Sequence, residues 1–305
     1  MNSIYTDLIP MIPIFVPIRR VQILAEINNI NHKLMNIPQM WRTTKGNGVK
    51  VAVLDTGVSV HNDLTPVALN SFVDGEPVDE CGHGTHCAGL LAGIGFNDMG
   101  VLGVAPEVSD YYVKILDNNG SGTIENVIKG IYYAVDILAV DVINMSLGIS
   151  TPERLSELEK ACDYAASKDV IICAAAGNEH TGVSQPAMYD SVLAISSITN
   201  QETLSNFSNF GDQIDYCAVG ENLYSTYLNN GYCTMSGTSM ASPIIAGIIS
   251  LIISDSKIGG KLLKRQESID KLDKIAFDLG PEGIDSSFGK GIPIFKSIVD
   301  NPISL

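Results

Sequence analysis

Short apolar runs alternate with helical repeats along most of this chain. Lys50 to Leu54 reads as a buried strand ending at Asp55, because the apolar run is continuous and too short for a helix. Val108 to Leu116 reads as a second strand, entering the turn DNNGSG. Ile124 to Val135 has helical spacing, with Tyr132, Tyr133 and Ala134 near its end. VDVINMSLG is a third strand, followed by a helix from Pro152 to Ser167 with charged positions such as Glu153, Glu157 and Lys160. DVIICAAAGN and VLAISSI are further strands. Met240 to Ile253 is apolar all round, which makes it a helix at the centre of the core. Strands alternating with helices predict an α/β fold, a mostly parallel sheet covered by helices on both faces in three layers. Residues 1–20, interrupted by Pro10, Pro13 and Pro17, read as an extension, and residues 21–305 as one domain.

Composition narrows the partners. Of 305 residues, 45% are hydrophobic and 28 are Gly, enough for one large core with many tight turns. A net charge of −15 argues against nucleic acid, since phosphate binding wants a basic stripe. The N-terminal stretch lacks a basic start, and its prolines break any leader helix. Met240 to Ile253 is too short to span a bilayer. The sequence therefore predicts a cytoplasmic protein with no membrane contact, its six cysteines kept as free thiols.

Chemistry enters at Asp55. Asp55-Thr56-Gly57 matches the triplet of an aspartic protease, but that chemistry needs two carboxylates sharing a proton, and no second such triplet exists. CGHGTHCAG, residues 81–89, offers Cys81, His83, His86 and Cys87 as metal ligands, yet four ligands in seven residues would have to bend one short loop around an ion. The alternative is a general base at a helix start. In TMSGTSMASP, residues 234–243, Ser239 stands where a buried helix begins, with its hydroxyl exposed and its N–H able to bind an oxyanion. Pro243 falls in the first turn of that helix, where a missing N–H does no harm. CAAAGNE puts the Asn178 amide where a strand leaves the sheet.

The chain order Asp55, His83, Ser239 is that of the subtilisin arrangement. Through VAVLDTG, GHGTHCAG, GVLGVAP, INMSLG, AAAGNE and SGTSMASP, residues 33–300 resemble the subtilisin-like serine proteases. The resemblance implies an endopeptidase acting on proteins or peptides. Asp55 would orient His83, His83 would be the base, Ser239 the nucleophile, and Asn178 with the Ser239 N–H the oxyanion hole. Gly120-Ser121-Gly122 and Ser146-Leu147-Gly148 would be edges between which substrate lies as an added strand. The resemblance further implies a cis Gln185–Pro186 bond and a calcium site of the Asp63 carboxylate, the Asn97 amide and the Met99 and Val101 carbonyls. The cysteine in GHGTHCAG is similar to the proteinase K branch, which would put Cys87 beneath the site. LMNIPQMW and the early LIP resemble the intracellular bacterial branch. That implies an N-terminal inhibitor, Leu8 to Phe15, lying in the cleft as a strand, and suggests a homodimer. Ile149 stands where a second Gly often follows, and would crowd the non-prime cleft. The rival reading is a catalytically silent relative that acts as a binding or signalling partner.

Overall fold

The computed structural model describes residues 9–10, 14–15, 26–27, 29–95 and 100–296. Seven strands form one sheet: β1 (Lys50–Asp55), β2 (Ala68–Ser71), β3 (Ser109–Lys114), β4 (Val142–Met145), β5 (Ile171–Ala175), β6 (Val192–Ile198) and β7 (Ile214–Val219). Their order is β7-β6-β5-β4-β1-β3-β2, and every pairing is parallel. Four helices matter for the site: α1 (His83–Ala92), α2 (Ile124–Tyr132), α3 (Ser156–Ser167) and α4 (Thr238–Ile258).

Strand alternation explains the layers. Val51 and Val53 of β1 face a core shared with α1 and α4, while Ala52 and Leu54 face a second core with α2 and α3. Both faces of the sheet are thus covered, as the apolar strand runs require. The order of strands reverses at β1, which lies between β3 and β4. In open parallel sheets a crevice forms at that point, outside the carboxyl ends of the strands. Asp55 closes β1 there, in register with Lys114.

α4 is longer than the sequence pattern indicates, running 21 residues. It is long and apolar enough to cross a membrane, so the length argument against a span does not hold; 94% of its most apolar stretch is nevertheless buried inside the protein. Its serines find partners in the core: Ser250 Oγ donates to the Ala246 carbonyl and Ser254 Oγ to the Asn47 carbonyl. Because the helix begins at Thr238, Pro243 sits in its second turn, not its first. The missing N–H is therefore one that the helix would have used.

Other boundaries move by a few residues. The second strand contracts to Ser109–Lys114, and the helix foreseen from Pro152 begins at Ser156. α2 stops at Tyr132 and passes into a wider π turn, Tyr133–Ile137. The sequence reading did not find the hairpin of Leu223–Tyr227 with Gly231–Ser236. Its signal was Asn229-Asn230, both at positive φ between Leu228 and Gly231, which makes a type I′ turn. Gln185–Pro186 is cis, and all six cysteines are free.

The N-terminal segment pairs three times with the rest of the chain. Ile9–Pro10 runs antiparallel to Ser121–Gly122, and Ile14–Phe15 antiparallel to Met235–Ser236. Glu26–Ile27 lies parallel to Gly100–Val101.

Candidate active site

Asp55 is fully buried at the end of β1. Its Oδ1 accepts from His83 Nδ1 at 2.8 Å and from the Thr56 N–H at 2.7 Å. His83 is the first residue of α1, and Gly84 lets that helix come close enough: a Cβ at Gly84 would lie 2.2 Å from the Gly57 carbonyl and 3.2 Å from Asp55 Oδ1. The Gly84 N–H also donates to Thr56 Oγ1 at 2.9 Å.

Two residues that sequence reasoning missed brace this corner. Asp79 caps α1, its carboxylate accepting from the N–H groups of Cys81, Gly82 and Thr85 and from Thr85 Oγ1. Lys114 is buried and donates to the Thr56 carbonyl at 2.6 Å and to Asn118 Oδ1 at 2.9 Å. An acidic residue four positions before the histidine is a legible cap signal. A buried lysine at the end of an apolar strand is not.

Burial alone would pull the His83 pKa down. The Asp55 carboxylate opposes this through its charge and its hydrogen bond, Asp79 adds to it, and the net shift is upward. His86, three residues along the same helix, donates from Nε2 to the Leu223 carbonyl at 3.0 Å. Burial, with the nearby His83, drops its pKa to about 3, so it is too weak a base to hold a proton at neutral pH. The structure does not gather the four candidate ligands of this loop into one close set. Among the described residues the one close set of potential ligands is Asp55, His83 and Cys87.

Ser239 follows Thr238 at the start of α4. Its Oγ donates to the Ser146 carbonyl at 3.1 Å. Asn178 approaches from the loop after β5. Its Oδ1 accepts from the N–H and Oγ1 of Thr238 at 2.8 and 3.0 Å, leaving Nδ2 as the donor. Thr238, another residue that the sequence reading missed, therefore orients that amide. One element of the site thus comes from each of β1, α1, the loop after β5, and α4.

The two expected edges take different forms. Gly120 has φ +75°, and Asp117 Oδ1 accepts from the Asn119 and Ser121 N–H groups, so a tight turn presents Ser121–Gly122. Ser146-Leu147-Gly148 continues from β4. Ile149 then exchanges backbone hydrogen bonds with Gln185 and packs into the second core, so it does not crowd the cleft. Asp63 lies apart from the catalytic corner. Its Oδ2 accepts from the Val101 N–H and Tyr232 OH, both at 2.9 Å. Asn97 and Met99 lie outside the described residues.

Comparison with known proteins supplies the family. The model of the subtilase family matches residues 46–291. The chain is 41% identical to Subtilisin DY of Bacillus licheniformis over 256 residues, covering 81% of this chain and 89% of that one. It is 39% identical to an intracellular serine protease of Paenibacillus polymyxa over 254 residues, 78% of this chain and 77% of that one. It is 36% identical to the minor extracellular protease Epr of Bacillus subtilis over 272 residues, 88% of this chain but only 41% of the relative's length.

The electrostatics yield a pH test. A base at His83 works only when neutral, and its pKa is raised, so activity should climb with pH along a limb lying above 6.5. Asp55→Asn removes the charge that raises it. The limb should move to lower pH, and the maximal rate should fall by about 10⁴, as when a triad imidazole is held in the wrong tautomer. A pH–rate profile of kcat/KM checks both, and a limb that stays in place would overturn the pairing.

Proposed function

Because the chain belongs to the subtilase family and is a subtilisin-like serine endopeptidase, we propose that it cuts peptide bonds through Asp55, His83 and Ser239, restrained by its own N-terminal segment. The observation that carries the triad is the buried 2.8 Å contact of His83 with Asp55, in a site that also holds an oriented Asn178 beside Ser239. Ser239 Oγ attacks the substrate carbonyl and His83 Nε2 takes its proton. The imidazolium that forms is stabilised by Asp55 and then protonates the leaving amine. Asn178 Nδ2 and the Ser239 N–H receive the charge on the tetrahedral oxygen. Water, activated in turn by His83, hydrolyses the acyl-enzyme.

Substrate adds as a strand, with Gly120-Ser121-Gly122 on one side and Ser146-Leu147-Gly148 on the other. A substrate N–H that bonds the Ser146 carbonyl displaces the Ser239 hydroxyl from it and turns that hydroxyl toward His83. Backbone pairing gives affinity without regard to sequence.

The N-terminal pairings support restraint. Ile9–Pro10 occupies the Ser121–Gly122 edge, and Ile14–Phe15 pairs with Met235–Ser236, three residues before the nucleophile. One pairing takes an expected substrate edge and the other the strand that leads to Ser239, which supports a segment that competes with substrate. On this reading residues 1–20 are an inhibitory extension of the peptidase domain. The Paenibacillus relative, named an intracellular protease, supports a cytoplasmic enzyme that needs such control.

Two members of the expected calcium set, Asp63 and Val101, lie among the described residues. Gly100 has φ +83°, and a Cβ there would fall 1.9 Å from Asp63 Oδ2, so glycine is what lets the carboxylate close on the Gly100–Val101 strand. We assign Asp63 and the Val101 carbonyl, with Asn97 and Met99, to a structural ion of oxygen ligands.

Three experiments follow from this reading. A fluorophosphonate should label Ser239, and Ser239→Ala should lose activity with its fold intact; label elsewhere, or none, would favour the silent relative. Deleting residues 2–20 should raise kcat/KM on a short peptide several-fold, whereas equal rates and no N-terminal processing would rule out restraint. Chelator should lower the melting temperature by several degrees if calcium binds the native state. An unchanged melting temperature counts against the ion.

A further inference from the structure

In an α-helix the carbonyl of each residue accepts from the N–H four residues on. For Ser239 that donor would be residue 243, which is Pro and has none. The carbonyl of Ser239, in a buried turn, therefore lacks its ordinary partner within the helix. A buried carbonyl is rarely left so. Two side chains from other elements take the vacant position. Ser146 Oγ donates to it at 2.7 Å and Cys87 Sγ at 3.5 Å. Ser146 follows β4, and Cys87 belongs to α1, the helix that carries His83.

The Ser146 hydroxyl is itself held. Asn144 Nδ2 donates to it at 3.0 Å, and Ser242 Oγ donates to Asn144 Oδ1 at 2.8 Å. Asn144, Ser146 and Ser242 are all fully buried. Ser146 therefore meets Ser239 twice: its carbonyl receives the nucleophile's hydroxyl, and its hydroxyl grips the nucleophile's carbonyl.

We propose that the Ser146 hydroxyl is a positioning residue for Ser239, replacing the helix hydrogen bond that Pro243 deletes and tying the nucleophile to β4 rather than to the interior of its own helix. Cys87 is a weaker second donor, since a thiol donates poorly. The inference rests on Ser239 being the nucleophile. Its physical content is a choice of reference frame. With a full helix ladder, Ser239 would move with α4. With the ladder cut, its backbone is fixed to the strand edge that also receives substrate and, through Cys87, to the helix of the base.

The test measures kcat and KM on a chromogenic peptide for wild type, Ser146→Ala, Ser146→Cys, Pro243→Ala and the Ser146→Ala/Pro243→Ala pair, with thermal unfolding as a check on folding. Ser146→Ala should lower kcat by about 10–100-fold with KM nearly unchanged, the scale of a misplaced reacting group. Ser146→Cys should fall between. In the double variant an alanine N–H returns to bond the Ser239 carbonyl, so kcat should recover by roughly tenfold, a rescue that general core damage would not show. The proposal is overturned if Ser146→Ala keeps wild-type kcat, or if adding Pro243→Ala recovers nothing. Should Ser146→Ala fail to fold, wild-type kcat in Ser146→Cys overturns it instead. Fluorophosphonate labelling separates the two levels. A wild type that does not label at Ser239 removes the nucleophile and this inference together, whereas labelling with unchanged Ser146→Ala kinetics removes this inference alone.

Discussion

The bond between His83 Nδ1 and Asp55 Oδ1 is the constraint that the rest of the structure serves. A fully buried carboxylate is costly unless its charge is paired and hydrogen-bonded. At Asp55 the compensation comes from the neighbouring Thr56 N–H and from a ring on another element. That ring must therefore be delivered accurately. The start of α1 presses so near the Gly57 carbonyl that no side chain fits at Gly84. Asp79 closes the open end of the same helix, and Lys114 fixes the backbone just beyond Asp55. Replacing any of these contacts acts on the carboxylate indirectly, through the distance of one helix from one strand.

Much of this was legible in the sequence because local chemistry and fold agree there. The apolar runs gave the parallel sheet, since strands buried on both faces have no polar alternation to lose. The proposed triad residues were legible because each lies at or near an element end, close to glycine or other small residues. Asp55 ends β1, His83 begins α1 and Ser239 is the second residue of α4. Asn178 could be read for the same reason, standing where β5 gives way to a loop.

What stayed hidden depends on partners far away in the chain. Pro243 reads as harmless in a helix that starts at Met240, and its effect appears only when Ser146, far earlier in the chain, donates to the Ser239 carbonyl. Thr238 reads as an ordinary helix start until Asn178 is brought to it. Lys114 looked like a strand end, and only the fold buries it against Thr56. The cost of Ile149 was misjudged in the other direction, since its side chain turns into the core. Periodicity reports which face is buried. It does not report which atoms meet.

The order of the strands bears on when this protein becomes dangerous as it is made. Chains emerge N-terminus first. Asp55 and His83 leave the ribosome long before Ser239 and the rest of α4. β1 cannot be flanked on both sides until β4 has been made. Until then Asp55 and His83 belong to an incomplete sheet without Ser239. The partners of the N-terminal strands, Ser121–Gly122 and Met235–Ser236, also emerge after the strands that pair with them. Whatever pairs with these edges is thus already present when they are made, and Ser239 is made well after Asp55 and His83.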